Sequence, residues 1–281
     1  MPVLASIIAT LTLTPALAET HTPTTMVPNP ATGAKWAVYA TFPSGAGPFP
    51  AVVFVPGGQQ HAFENTLSAE GERKFNRAGI AVVRYDAEGR GQSEGQDDHS
   101  GPVQQAGLRA MIDWAVAQDK IADDQVGVVT YSAGLMLAAP ALVTGPHKAK
   151  FLFDWEGPPS KDFLRGCWPG GDGVAFRHPC VDPAYWAERD ALIALPKLTI
   201  PYWRMQASVD HHGGTSHGHV SSAVEAAASG VAPWVRLNDL PPTTTGYDTA
   251  TFEGGLLPRM KEGERDSYIT EKVKQLFALT N

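Results

Sequence analysis

The chain has 281 residues, 43% of them hydrophobic and 18% charged, with a formal net charge of -7. That length supplies one large α/β domain with a full core and does not demand a second domain. No basic block interrupts the acidic balance, which argues against nucleic acid as a partner, because phosphate binding needs clustered Lys and Arg.

The first 18 residues contain no Lys, Arg, Asp or Glu and end in Ala16-Leu17-Ala18. An apolar run from Val3 to Leu17 before such an A-x-A-like site reads as a signal peptide cleaved near Glu19. It is shorter than the roughly 20 residues a membrane span needs. No later stretch is long and apolar enough to cross a bilayer, so a secreted or periplasmic protein without a span is expected. Cys167 and Cys180, the two cysteines, lie close together in a Gly/Pro-rich segment. In an exported chain they are expected to form a loop-closing disulfide.

Residues 19–34 are polar and rich in Pro and Thr and read as an exposed leader. Lys35–Phe42 alternates as an early strand, and Pro43–Pro50 turns the chain. Ala51–Val55 is a buried strand closed by Pro56-Gly57-Gly58-Gln59. Ser68–Ala78 is helical, with Gly79 just beyond its end. Ile80–Arg84 is the next strand and runs into the polar loop Asp86–Gly95. Val103–Asp119 carries Leu108, Met111, Ile112 and Ala115 on one helical stripe.

Val126–Gly134 (VGVVTYSAG) is a β-branched apolar run that ends in a serine between small residues, before the helical Leu135–Leu142. Strand, tight turn and helix in that order are the context of a nucleophile elbow at Ser132, with Thr130 in the place of the usual first glycine. Lys150–Asp154 is a strand leading into Trp155-Glu156-Gly157-Pro158. Residues 158–196 then break the alternation with both cysteines and Phe163, Trp168, Phe176, Tyr185 and Trp186, and read as a lid or pocket wall. Leu198–Arg204 resumes the strands, His219–Ser229 is helical, Trp234–Leu237 is the last strand and Asp266–Leu279 a closing amphipathic helix. Strands alternating with helices imply a mostly parallel sheet covered on both faces.

Three stretches in this order carry a family resemblance: Val55-Pro56-Gly57-Gly58, Asp86–Gly95 and Thr130–Gly134. Over Lys35–Leu279 the chain resembles an α/β-hydrolase. The resemblance implies that fold, with the aromatic insertion after its sixth strand. It also implies acyl transfer from a small-molecule ester through Ser132. Backbone N–H groups of Ala133 and Gly58 would hold the oxyanion, with Gln59 the other candidate for the second donor. No cofactor and no metal are implied, and oligomeric state is left open. An exopeptidase-like hydrolase is the alternative substrate class.

The family's general base is a histidine after the last strand, but Asn238–Tyr247 contains none and no histidine follows His219. The histidines gather instead behind the preceding strand, at His211, His212, His217 and His219, next to Asp210. Three readings follow. His211 or His212 reaches Ser132 and is oriented by Asp154 or Glu156. Alternatively, Asp210 is the acid, and His217 or His219 folds back as base. In the third, the base is absent and the chain is a silent binding module. His61 and His99, in other loops, are weaker substitutes for the base. The spacing of the four clustered histidines matches no metal site.

Overall fold

The computed structural model describes residues 21–64, 67–211 and 218–280. The expected signal peptide, His212 and His217 lie outside the described residues.

Ten strands are described, in chain order β1 (Thr25–Pro28), β2 (Lys35–Thr41), β3 (Phe49–Val55), β4 (Ala81–Tyr85), β5 (Ile121–Tyr131), β6 (Ala149–Trp155), β7 (Val174–Ala175), β8 (His178–Pro179), β9 (Tyr202–Met205) and β10 (Val235–Leu237). The helices are α1 (Ala69–Arg77), α2 (Pro102–Val116), α3 (Leu135–Ala141), α4 (Pro183–Ala187), α5 (Ala191–Ala194), α6 (Gly218–Ala228), α7 (Thr249–Gly254) and α8 (Glu262–Leu279). Eight strands form one sheet in the order β1-β2-β4-β3-β5-β6-β9-β10. The neighbours from β4 to β10 run parallel, while β2 is antiparallel to both β1 and β4.

Side chains alternate across this sheet and each face buries its own layer. Val53, Val55, Val83, Val128 and Leu152 pack against Leu108, Met111 and Ile112 of α2 and against α3, α5 and α6. On the opposite face Val52, Phe54, Val129, Phe153 and Trp203 meet Phe75 of α1 and Ile269, Val273, Leu276 and Phe277 of α8. The central strand β5 is buried on both faces from Val126 to Thr130, which is why that stretch reads as an unbroken apolar run.

The leader departs from expectation. Thr25–Pro28 adds to the sheet as an edge strand, and Asn29 is wholly buried with its amide nitrogen on Glu88 Oε2 at 2.6 Å. Four residues are too few for a pattern to register, and a proline is tolerated there because an edge strand has only one partner. The short α7 was also missed.

In the insertion, the cysteines form the disulfide Cys167–Cys180 with Cα atoms 5.6 Å apart. β7 and β8 make a two-stranded hairpin beside it. Leu164 and Trp186, with Phe176 and Tyr185 partly buried, pack onto Ala133 and Met136, so the insertion sits on the elbow itself. Arg189 clamps it to a neighbouring loop by donating to the carbonyls of Asp98 (2.7 Å) and His99 (3.0 Å).

Candidate active site

The site lies where β5, β6 and β9 end together, the edge of a parallel sheet where the strands' C-terminal ends open a crevice. Tyr131 is still extended, and the next residue, Ser132, has φ +50°. A non-glycine residue in that region is strained, and such strain gathers at functional sites. Space around the serine is kept by small neighbours. A Cβ on Gly57 would come within 3.0 Å of Ser132 Cβ, and one on Gly157 within 2.8 Å of the Ser132 carbonyl. Thr130, in the place of the pattern's glycine, is fully buried and donates through Oγ1 to Asp154 Oδ1 at 3.2 Å. The departure from the motif therefore ties the elbow strand to its neighbour.

Two carboxylates at the end of β6 part company. Asp154 is wholly buried and accepts from Tyr202 Oη (2.7 Å), Arg204 Nη1 (2.5 Å) and the Gly157 N–H (3.0 Å). Burial pushes its carboxyl up. Burial works against the charge of Arg204, but Asp154, Tyr202 and Glu156 together outweigh it and push the guanidinium up. Asp154 is thus an internal brace. Glu156, two residues on, sits at φ +52°, a second strained position. Its Oε1 accepts from the Ala207 N–H (3.0 Å), and Oε2 lies 3.1 Å from His211 Nδ1.

His211 closes the arrangement. Its Nε2 is 2.8 Å from Ser132 Oγ, and its backbone N–H donates to Glu156 Oε2 at 3.3 Å. The ring rests beside Tyr131, centroids 5.0 Å apart, with its side chain 23% exposed, enough to meet a substrate from solvent. Serine, histidine and carboxylate in mutual hydrogen-bond reach form a constellation defined by geometry and not by sequence position.

Other candidates have different neighbours. Asp210 forms its ion pair with His219 Nε2 at 3.2 Å, while the carboxylate on the His211 ring belongs to Glu156. His219 is mostly buried on α6, its ring 5.8 Å from Phe163 of the insertion. His61 pairs with Glu64 (3.4 Å), and His99 lies 3.2 Å from Asp97 and 3.1 Å from the Gln59 amide. Among the described residues no group of three His, Cys, Asp or Glu is placed to hold a metal ion.

The two residues expected to supply oxyanion donors lie in the turn that begins at Ser132 and in the loop whose Gly57 packs on that serine. Ala133 is the second residue of the 3-10 turn Ser132–Gly134, whose first N–H groups have no partner within the turn. Across from it the Gly57 carbonyl accepts the Gln60 N–H at 3.0 Å. Carbonyl and N–H of one trans peptide lie in the same rigid plane and point in opposite directions, so this bond also fixes the direction of the Gly58 N–H. Gly58 has φ +51°, and the space its missing Cβ would fill is open. Sequence reasoning missed Arg90, whose Nη1 donates to the Gly58 carbonyl at 2.7 Å and anchors the loop. Its neighbour Asp86 anchors the same region, accepting from Tyr39 Oη (2.9 Å) and the Ala62 and Gln92 N–H groups (2.8 Å each).

A mostly parallel sheet in this strand order, with a left-handed serine closing its central strand, defines an α/β-hydrolase. The chain has that fold. Residues 32–170 match the model of the X-Pro dipeptidyl-peptidase (S15) family. No curated protein matches the sequence. Among solved structures, the chain is similar to Est1E from Butyrivibrio proteoclasticus, a structure with ferulic acid bound. The TM-score is 0.61 at 17% identity, over 91% of this chain and 98% of that one. It is also similar to dipeptidyl peptidase 4 of Porphyromonas gingivalis, with TM-score 0.67 and 15% identity over 90% of this chain and 35% of the other. A third, 2,6-dihydroxy-pseudo-oxynicotine hydrolase, has TM-score 0.62 at 16% identity; 88% of this chain spans 66% of that protein. These neighbours share the fold, and the matches as a group lie among hydrolases of the esterase and peptidase types.

Proposed function

We propose that the protein is an exported serine hydrolase that cleaves carboxylic ester bonds through an acyl-enzyme on Ser132. The observation that carries this reading is the unbroken relay from Glu156 Oε2 through His211 to Ser132 Oγ, at 3.1 and 2.8 Å. His211 Nε2 takes the Ser132 proton as Oγ attacks the ester carbonyl, and Glu156 keeps the ring's other nitrogen protonated and steadies the imidazolium. The N–H groups of Ala133 and Gly58 meet the developing oxyanion, each contributing about 3 kcal/mol to the barrier reduction. His211 returns the proton to the leaving alcohol as the C–O bond breaks. Water, deprotonated by the same nitrogen, then releases the acid and restores the serine.

Two tests decide this. A fluorophosphonate should label Ser132 near neutral pH, and p-nitrophenyl esters should turn over; an unlabelled, inactive protein would leave the silent binding module standing. The S15 match over residues 32–170 favours a second reading, an exopeptidase. Comparing kcat/KM for p-nitrophenyl acetate with that for an Xaa-Pro-p-nitroanilide separates the two. Export rests on the apolar segment ending at Ala18 and on the Cys167–Cys180 bond. Terminal mass analysis of protein recovered outside the cytoplasm should find a chain beginning near Glu19.

A further inference from the structure

Beside the oxyanion loop lies a cleft of about 220 Å³ lined by Gln59, His61, Arg90, Asp97 and Arg177 together with Gly89 and Gly91. It starts one residue beyond Gly58, the neighbour of the glycine packed on Ser132. Its charges are unequal. Arg90 is neutralised within the wall, Nε on Asp97 Oδ2 at 2.9 Å and Nη2 on Oδ1 at 3.1 Å. Arg177, at the tip of the β7–β8 hairpin, has no carboxylate within ion-pair distance among the described residues. The cleft therefore carries one uncompensated positive charge on a chain whose net charge is -7.

The hairpin presents that charge at a conformational cost. Phe176 and Arg177 both have positive φ, +49° and +58°. A two-residue turn of this kind ordinarily takes Asn-Gly, since two side-chain-bearing residues there are strained. Phe176 turns into the apolar cluster above Ala133, near Trp186, while Arg177 lines the cleft. Just beyond the lining residue Asp97, His99 and Ser100 also have positive φ, +54° and +70°. Burial, reinforced by Arg90 and Arg177 against the opposing charge of Asp97, holds His99 below its usual range and so favours a neutral ring.

We propose that this cleft is a subsite for a carboxylate borne by the substrate, with the Arg177 guanidinium as its partner. The substrate class is then an ester carrying a second, free carboxylate in its acyl or alcohol half. The overall negative field repels such an anion, so its recognition requires a local cation that can form a charge-assisted, bidentate pair. The proposal rests on the serine-hydrolase reading of Ser132.

The test uses the full chain and two matched ester pairs. One pair is p-nitrophenyl butyrate and mono-p-nitrophenyl glutarate. The other is the butyrate esters of 4-hydroxybenzamide and 4-hydroxybenzoate. In at least one pair the carboxylated ester should have the higher kcat/KM. Arg177→Gln should reduce that preference about ten-fold through KM, the size of one charge-assisted pair. Arg177→Lys should restore part of it, added salt should weaken it, and Arg73→Gln, on the remote α1, should leave the ratio unchanged. No preference in either pair, or an equal loss for both esters of a pair, would overturn the subsite. Calorimetric titration of glutarate into Ser132→Ala, with and without Arg177→Gln, decides the question independently of turnover. Binding abolished by Arg177→Gln supports the subsite, and binding that is absent or indifferent to the change refutes it. Loss of fluorophosphonate labelling and of all ester turnover would count against the hydrolase reading alone.

Discussion

Strands β9 and β10 lie side by side and end at the same edge of the sheet, yet the loops that leave them serve opposite ends. After β10, Asn238 is wholly buried at φ +47° and commits its amide to the backbone. Its Oδ1 accepts the Gln206 N–H, and its Nδ2 donates to the carbonyls of Gln206 and Gly255, all at 2.8 Å. After β9, His211 keeps both ring nitrogens for side chains, Glu156 on one side and Ser132 on the other. The loop where the family's histidine is expected has become a brace, and its bonds to Gln206 steady the strand end that leads to His211. A crevice at a sheet edge offers several places for a base, and the proposed one is His211, whose two ring nitrogens face side chains.

Substitutions can break this contrast, beginning with the largest effect. Ser132→Ala or His211→Ala should lower kcat for ester hydrolysis by about 10⁶-fold, the scale of removing a nucleophile or its base, with little change in melting temperature. Activity within ten-fold of the parent would exclude the relay. Glu156→Gln should cost about 10⁴-fold, because a neutral amide no longer enforces the productive tautomer of His211. Asp210→Asn, a change in the other candidate acid, should cost at least about a hundred-fold less; equal losses would reassign the acid.

Stability changes sharpen the structural half. Asp154→Asn leaves the buried Arg204 without its counter-charge and should destabilise the fold by about 3–5 kcal/mol in denaturant unfolding. Asn238→Ala deletes three buried hydrogen bonds, for about 3 kcal/mol. At about 2–4 °C per kcal/mol for a chain of this size, the melting temperature should drop by several degrees. The protein that remains folded should keep most of its kcat, since Asn238 touches neither reacting group; a collapse of kcat at unchanged stability would contradict the brace.

Much of this was legible in the chain. Strands buried on both faces are continuous apolar runs, and the helices show their stripes, so the order of elements and the place of Ser132 could be read directly. Gly57, Gly58 and Ala133 stood in motifs whose backbone geometry is local. Less legible was anything joined by long loops. Thr130 looked like a flaw in the elbow until its bond to Asp154 was seen, and Arg90 looked like a loop cation until it met the Gly58 carbonyl. The edge strand Thr25–Pro28 was too short to announce itself.

The sequence by itself determined the mostly parallel sheet, the place of the elbow serine, the pairing of Cys167 with Cys180 and the absence of a histidine after the last strand, because these follow from period, local turn chemistry and counting; the α/β-hydrolase topology came from the resemblance of three motifs. It left open which acid and which histidine meet the serine. Asp154, Glu156 and Asp210 are equally ionisable as letters, and only tertiary packing turns one inward to Arg204, one toward His219 and one against His211. Distance through space, which no spacing along the chain records, made that choice.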